Sequence, residues 1–299
     1  MDCSFIEFPK VSAVVPTRNR KDKLFRFLGQ FILQTYPNLQ IIVVDSNSTD
    51  GTREELLKRF PQVTLVMVTD NEYWAGATNS GIKIALKDKC EYIFTINDDS
   101  VVKVDHISKM VAIAKKHQAL ILGNSINYLS NPNLIWSIGT TNYWGTANFL
   151  QLNYHNLELE KIPEHIKNNE IIQVDALAGN GVLIHHQVFT KIGLYNESFL
   201  PHYHADSELT IRANSQEIKV FVAPSIILLN DFHNEQKKLN LNHIQGFIYA
   251  LFHKKSHLFI VPLTYIFIMY CPNNKKILTL WMLIQRFITL RWESKSQFK

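Results

Sequence analysis

Two adjacent carboxylates, Asp98 and Asp99, close the strand-like run Glu91-Tyr-Ile-Phe-Thr-Ile96. Neighbouring carboxylates repel, and both stay ionised readily only beside a cation. Oxygen ligands of that kind suit Mg2+ or Mn2+, ions that usually bridge to substrate phosphates. The competing role is structural: Asn97-Asp-Asp-Ser100 as a turn that caps a helix starting near Asp105. A second carboxylate, Asp206, follows His202-Tyr-His204 and precedes a run with Leu209 and Ile211. It reads either as a helix N-cap or as a general base presented to a cleft. His233, beyond the apolar run Ile226–Leu229, is either a metal ligand or a solvated loop residue. Gly179 and Gly181 suit a close backbone approach to a ligand or, equally, a plain turn.

These groups need elements to hold them. Val11–Val15, Gln40–Asp45, Thr64–Val68 and Glu91–Ile96 read as short buried strands. Helical spacing fills the intervals: Leu24, Phe27, Leu28 and Phe31 in the first, a segment running to Phe60 in the second, Ala77–Lys87 in the third. Strands alternating with helices of about a dozen residues predict a parallel, doubly wound sheet. Ligands of such sheets sit beyond the carboxyl ends of the strands. Polar residues gather at those ends: Thr17, Arg18 and Asn19; Asp45, Ser46 and Asn47; Asp70 and Asn71; Asn97, Asp98 and Asp99. Each set alone is ordinary turn chemistry; four sets on one sheet edge predict a binding crevice. Further on, Ala119–Leu122, Val182–His185 and Val220–Ala223 read as more strands.

The chain has 299 residues, 46% of them hydrophobic, which is enough apolar matter for a large core and excludes low-complexity disorder. Its net charge of +5 is unevenly distributed. Residues 234–299 hold ten Lys and Arg against two Glu, a net of +8, which leaves the remainder at −3. A mildly acidic body with a basic tail points the tail at something anionic. The tail is also apolar, through Leu258–Cys271 and then Ile277, Leu280, Trp281, Ile284 and Phe287, which argues for lipid and against nucleic acid. Neither run reaches the roughly 20 residues needed to span a bilayer, so helices lying in a membrane surface are expected. Packing on the body or a dimer contact is the alternative. Three dispersed cysteines (Cys3, Cys90, Cys271) and a start without a signal-peptide pattern indicate a cytoplasmic protein.

In their order, the motifs resemble the family 2 glycosyltransferases with the GT-A nucleotide-sugar fold, especially the rhamnosyltransferase-like branch of polysaccharide biosynthesis. Val14-Val-Pro-Thr-Arg-Asn-Arg20 is similar to that family's opening strand and loop, and Ile42-Val-Val-Asp-Ser-Asn-Ser-Thr-Asp-Gly-Thr52 to its VVDDGSTDGT segment. Asn71–Gly81 is similar to its Asn- and Gly-bearing helix start, with Trp74 where a Gly often sits. Ile96-Asn-Asp-Asp99 resembles the metal motif in a variant led by Asn, and His204-Ala-Asp206 falls where Glu-Asp is usual. The resemblance runs from about residue 10 to residue 235.

It implies a GT-A domain over 1–235, divided into a nucleotide-binding half (about 10–100) and an acceptor-binding half (about 101–235), and a helical extension over 236–299. It also implies an inverting transfer from a UDP- or dTDP-sugar to a lipid-linked or growing glycan at the inner face of the cytoplasmic membrane. Pro16, Thr17, Arg18 and Asp45 would line the nucleotide pocket; Asn79, Asp98 and Gly179 would face ribose, diphosphate or donor sugar. Asp99 and His233 would hold the divalent ion, with imidazole tilting the choice toward Mn2+ over Mg2+, and Asp206 would be the base. Trp136, with Tyr143 and Trp144, and His202, Tyr203 and His204 are expected on the acceptor side. Two rival readings are an inactive fold serving as a binding or scaffold subunit, and a sugar nucleotidyltransferase. The latter calls for a glycine-rich loop that Val15–Lys21 lacks.

Overall fold

The computed structural model describes residues 8–232, 244–256 and 258–296. It opens with β1 (Val11–Thr17), α1 (Lys21–Phe31), β2 (Leu39–Ser46), α2 (Thr52–Arg59), β3 (Thr64–Val68), α3 (Trp74–Lys87) and β4 (Tyr92–Thr95). β4, β1, β2 and β3 lie side by side and parallel, as the alternating pattern predicts. Val11, Ala13, Val14 and Val15 have no exposed surface. Burial on both faces is what a parallel sheet covered by helices requires.

The second half consists of β5 (Ser100–Val102), α4 (His106–His117), β6 (Ile121–Tyr128), β7 (Asn131–Ser137), β8 (Thr140–Asn142), β9 (Leu150–Leu152), α5 (Glu164–Asn168), β10 (Ile172–Val174), β11 (Val182–His185), α6 (His186–Ile192), α7 (Ala205–Ser215) and β12 (Val220–Asn230). Here the sheet departs from an all-parallel one. β11 inserts antiparallel between β4 and β6, while β10, β5 and β7 add further antiparallel pairs. For β11 the cause is a tie between segments far apart in the sequence. Its approach loop is tied to the carboxyl edge by the Gly181 N–H bond to the Thr95 carbonyl at 2.8 Å. A strand that starts at that edge runs back against its neighbours.

β12 joins the two apolar stretches Val220–Ala223 and Ile226–Leu229 into a single strand, with its register shifted between Ala223 and Ile227. Pro224 falls within that irregularity, where a missing N–H is tolerated. The Asn97–Ser100 turn does not cap α4; β5 intervenes, and Asp105, at the cap position, makes no side-chain cap bond.

Two apolar layers clothe the sheet. One gathers Leu24, Phe27 and Phe31 of α1 with Ile107 and Met110 of α4. The other gathers Ile82 of α3, Val188 of α6 and Leu209 of α7. This second layer continues into the tail, formed by α8 (Ile244–Phe252), α9 (Ile260–Tyr270) and α10 (Lys276–Ser296). Leu263, Ile266 and Phe267 of α9 and Leu283 of α10 are buried in it. No described helix is long and apolar enough to cross a membrane. Residues 235 and 236, where a boundary is expected, lie outside the described residues.

Candidate active site

The four strand tips meet. Thr17 Oγ1 donates to Asp98 Oδ2 at 2.7 Å, and the Asn19 N–H to Ser48 Oγ at 2.8 Å. The Thr49 N–H returns to Asn19 Oδ1 at 2.7 Å. Arg18 pairs with Asp70 at 3.4 Å, and Asn47 Nδ2 donates to the same carboxylate. Residues 18–19, 47–49, 70 and 98 thus form one continuous rim at the carboxyl edge.

Within the rim, Asp45 is fully buried. Its Oδ2 accepts from Arg53 Nε and the Ser48 N–H, while Oδ1 is buried without a hydrogen-bond partner. Asp98 is also buried. Desolvation pushes its carboxyl up to about 6, against the opposing pull of Arg20 and Thr17. Arg20 spans the acidic pair: Nε lies 3.3 Å from Asp98 Oδ1, and an NH2 group lies 2.6 Å from Asp99 Oδ2. Asp99 Oδ1 is buried with no hydrogen-bond partner.

The second half of the chain is brought to the same place. Asn180 Oδ1 accepts from the Asn97 N–H at 3.0 Å and from Ser100 Oγ at 2.9 Å; its Nδ2 donates to Asn230 Oδ1 at 2.9 Å. One residue beyond β12, the Asp231 N–H donates to the Asp99 carbonyl at 3.0 Å. The end of β12 is therefore pinned to the acidic turn. His233 itself lies outside the described residues.

Asp206 is in the first turn of α7 and not at its cap position, which His204 occupies with a left-handed φ of 65° and no side-chain cap bond. Asp206 Oδ2 accepts from the Gly179 N–H at 2.7 Å, and Oδ1 from the Ser207 N–H at 2.8 Å. A carboxylate held this way is fixed in orientation and keeps a second lone pair on each oxygen.

Trp74 links this carboxylate to the acidic turn. Its Nε1 donates to Asn97 Oδ1 at 3.1 Å, while its ring lies so close to Gly179 that a Cβ there would come within 2.6 Å of it and within 2.9 Å of Asp206 Cβ. The indole thus connects Gly179, which donates to Asp206, with the turn that carries Asp98 and Asp99. Gly181 has a left-handed φ of 79° and serves the turn into β11.

Several expected residues have other neighbours. Asn79 is 2% exposed; its Nδ2 donates to the Tyr195 carbonyl and Glu197, and its Oδ1 accepts from the Tyr195 N–H. With its amide engaged, it holds the 195–197 loop. Pro16 lies within β1, paired with Val44. Trp136 stacks on Phe232 at 4.9 Å, and Trp144 on Phe149 at 4.6 Å, whereas Tyr143 is exposed. His202 packs edge-on against Tyr73 and Tyr203. Burial lowers both His202, to about 4, and His204, which keeps His202 neutral near pH 7. Among the described residues, no group of three or more His, Cys, Asp or Glu side chains is placed to hold a metal ion.

A mixed sheet whose carboxyl edge bears an acidic turn defines the GT-A class of fold, and solved structures agree. GalNAc-T7, crystallised with UDP, GalNAc and Mn2+, superposes with a TM-score of 0.59 at 17% identity, over 75% of this chain and 43% of that one. Residues 1–349 of S. aureus TarS superpose with a TM-score of 0.54 at 16% identity, over 93% and 81%. Residues 12–177 match the sequence family described as Glycosyl transferase family 2, and the chain belongs to that family. Its relatives include the glycosyltransferase GlyG of Streptococcus pneumoniae, 34% identical over 40% of each chain. The dTDP-rhamnosyl transferase RfbF of Shigella flexneri is 25% identical over 68% of this chain and 63% of its own. The match covers less than two thirds of the length of either relative.

Arg20, Trp74, Asn180 and Asn230 are the site residues that sequence reading missed. Two of them carried a signal: Arg20 closes the family-like Val14–Arg20 segment, and Trp74 departs from the family's glycine.

Proposed function

We propose that this chain is a metal-dependent inverting glycosyltransferase. It moves a sugar from a UDP- or dTDP-linked donor to a hydroxyl of a lipid-linked or growing glycan. The observation that carries the reading is the contact series Asp206–Gly179–Trp74–Asn97, which sets a fixed carboxylate beside the acidic turn. GlyG and RfbF, named as transferases, support the reaction class. The relative WfaP of Escherichia coli, named for transfer from UDP-Glc to a diphosphoundecaprenol-linked GlcNAc, supports the substrate class.

Each residue then has a task. Asp45 Oδ1, buried and unpartnered, accepts an N–H from the pyrimidine base. Thr17 and Arg18 flank the nucleotide, and Arg20 aligns Asp98 and Asp99. The unpartnered Asp99 Oδ1 is the hard oxygen donor that Mg2+ or Mn2+ would take, so Asp99 fits a divalent ion, with His233 the second ligand that the family resemblance implies. When bound, that ion neutralises charge developing on the departing diphosphate. Asp206 removes the proton of the acceptor hydroxyl, whose oxygen attacks the anomeric carbon in line and inverts it without a covalent intermediate. His202, Tyr203 and His204 border the acceptor. The tail rests on the anionic inner face of the cytoplasmic membrane.

The test pairs a donor panel with Asp206→Asn. Transfer is expected to fall about 10²–10⁴-fold, the usual contribution of a general base, while thermal stabilisation by the nucleotide-sugar persists. Transfer by the variant at the wild-type rate overturns the assignment of the base. A wild-type chain that binds donor but never transfers is instead a binding subunit.

A further inference from the structure

Tyr73, the residue before α3, carries two cations on its ring. Lys254 Nζ lies 5.6 Å and Lys255 Nζ 5.7 Å from the ring centroid. Both lysines come from the segment between α8 and α9 in the tail. Among the described residues, neither ammonium has a carboxylate within ion-pair distance; the ring is the partner the structure gives them. A cation over a half-buried ring gains too little to explain two like charges held over it without a counter-charge.

The same ring meets His202 edge-on at 6.5 Å, and His202 Nδ1 is buried without a hydrogen-bond partner. This spot adjoins the proposed base from two directions. Tyr73 is bonded to Trp74, whose indole lies against Gly179, the residue that donates to Asp206, and His202 lies four residues before Asp206. On its other side, Ile248, Tyr249 and Phe252 of α8 expose half or more of their surface just before the lysines.

We infer that Lys254 and Lys255, with Tyr73 and His202, form a site for a phosphate or diphosphate group on the acceptor, joining the acceptor sugar to its lipid. The inference rests on the transferase reading above and adds the acceptor's anionic linker to it. Two ammoniums and a ring nitrogen offer a dianion charge-assisted hydrogen bonds. The exposed apolar side chains of α8 receive the first part of the lipid chain. The tail is then part of the acceptor site as well as a membrane contact.

Two measurements on the full-length protein test this. In the first, calorimetry compares farnesyl diphosphate with farnesol, a readout that needs no transfer. Wild type is expected to bind the diphosphate at least about tenfold more tightly than the alcohol, and Lys254→Ala/Lys255→Ala to erase that preference, because hydrogen bonds to charged groups are worth at least that ratio. Lys254→Arg/Lys255→Arg should restore it. In the second, KM is compared for a lipid-diphosphate-linked sugar and for the same sugar as a neutral alkyl glycoside. The alanine pair should raise only the former, about 10–100-fold, with the donor KM unchanged.

Equal effects on both acceptors, or an unchanged diphosphate preference, overturn the inference. A change confined to sedimentation with phosphatidylglycerol vesicles would assign the lysines to the membrane surface and overturn it as well. Diphosphate binding that depends on the lysines, in a protein that transfers no sugar, would refute the transferase reading and leave the anion site standing.

Discussion

Among the described residues Asp206 has no ion-pair partner; its position comes from two backbone N–H groups and from the absence of a side chain at residue 179. Gly179 is needed for space, since its backbone is not in the left-handed region. A methyl there would run into a rigid indole and into the Asp206 side chain, the proposed base. Gly179→Ala should therefore lower turnover far more than donor affinity, because a base displaced by a fraction of an ångström loses alignment. Adding Trp74→Leu, which clears the indole, should recover part of the folding stability, read as the urea midpoint. If Gly179→Ala is as active as wild type, the close approach has no functional weight.

Among the elements, α7 joins the tail to the candidate site. Tyr270, at the end of α9, donates to Glu208 Oε1 at 2.5 Å, and an Arg212 NH2 group approaches Glu208 Oε2 at 3.1 Å. Glu208 is 1% exposed, and its burial raises its pKa. Arg212 also donates to the Ile192 and Leu194 carbonyls, tying α7 to the loop after α6. Asp206 lies on the same helix, two residues before Glu208. Tyr270→Phe leaves a buried carboxylate oxygen short of a donor, which costs about 1–3 kcal/mol, read from the urea midpoint. Glu208→Gln in that background should recover part of the loss, because the group left behind is then uncharged. An unchanged midpoint in Tyr270→Phe would show that this contact does not anchor α7.

At the scale of the molecule, the tail is two-faced. Leu263, Ile266 and Leu283 enter the core, while Ile268, Met269, Ile277 and Trp281 are more than half exposed. The inward side secures the fold, and the outward side, flanked by Lys275 and Lys276, suits an anionic bilayer surface. Ile277→Ser/Trp281→Ser should reduce sedimentation with phosphatidylglycerol vesicles several-fold and leave the melting temperature nearly unchanged, since both side chains face outward. Undiminished sedimentation would remove this face from the membrane contact.

The strand–helix alternation, the polar tips after β1 to β4 and the acidic turn were all legible in sequence, because periodicity and turn chemistry are local properties. Local pattern also placed Asp206 near a helix start and β11 at Val182–His185. The direction of β11 was not legible, since it depends on the edge to which a distant loop is tied, through Gly181 and Thr95. The same holds for the merging of two apolar runs into β12 and the arrival of Asp231 at Asp99. Trp74 showed in sequence only as a missing glycine; a close approach to Gly179, more than a hundred residues on, together with its bond to Asn97, made it the link between the two halves of the candidate site. Residue types and spacing determined which chemistry this chain can offer, whereas the meeting of those groups was decided by pairings between segments far apart in the sequence, whose closure one-dimensional pattern does not encode.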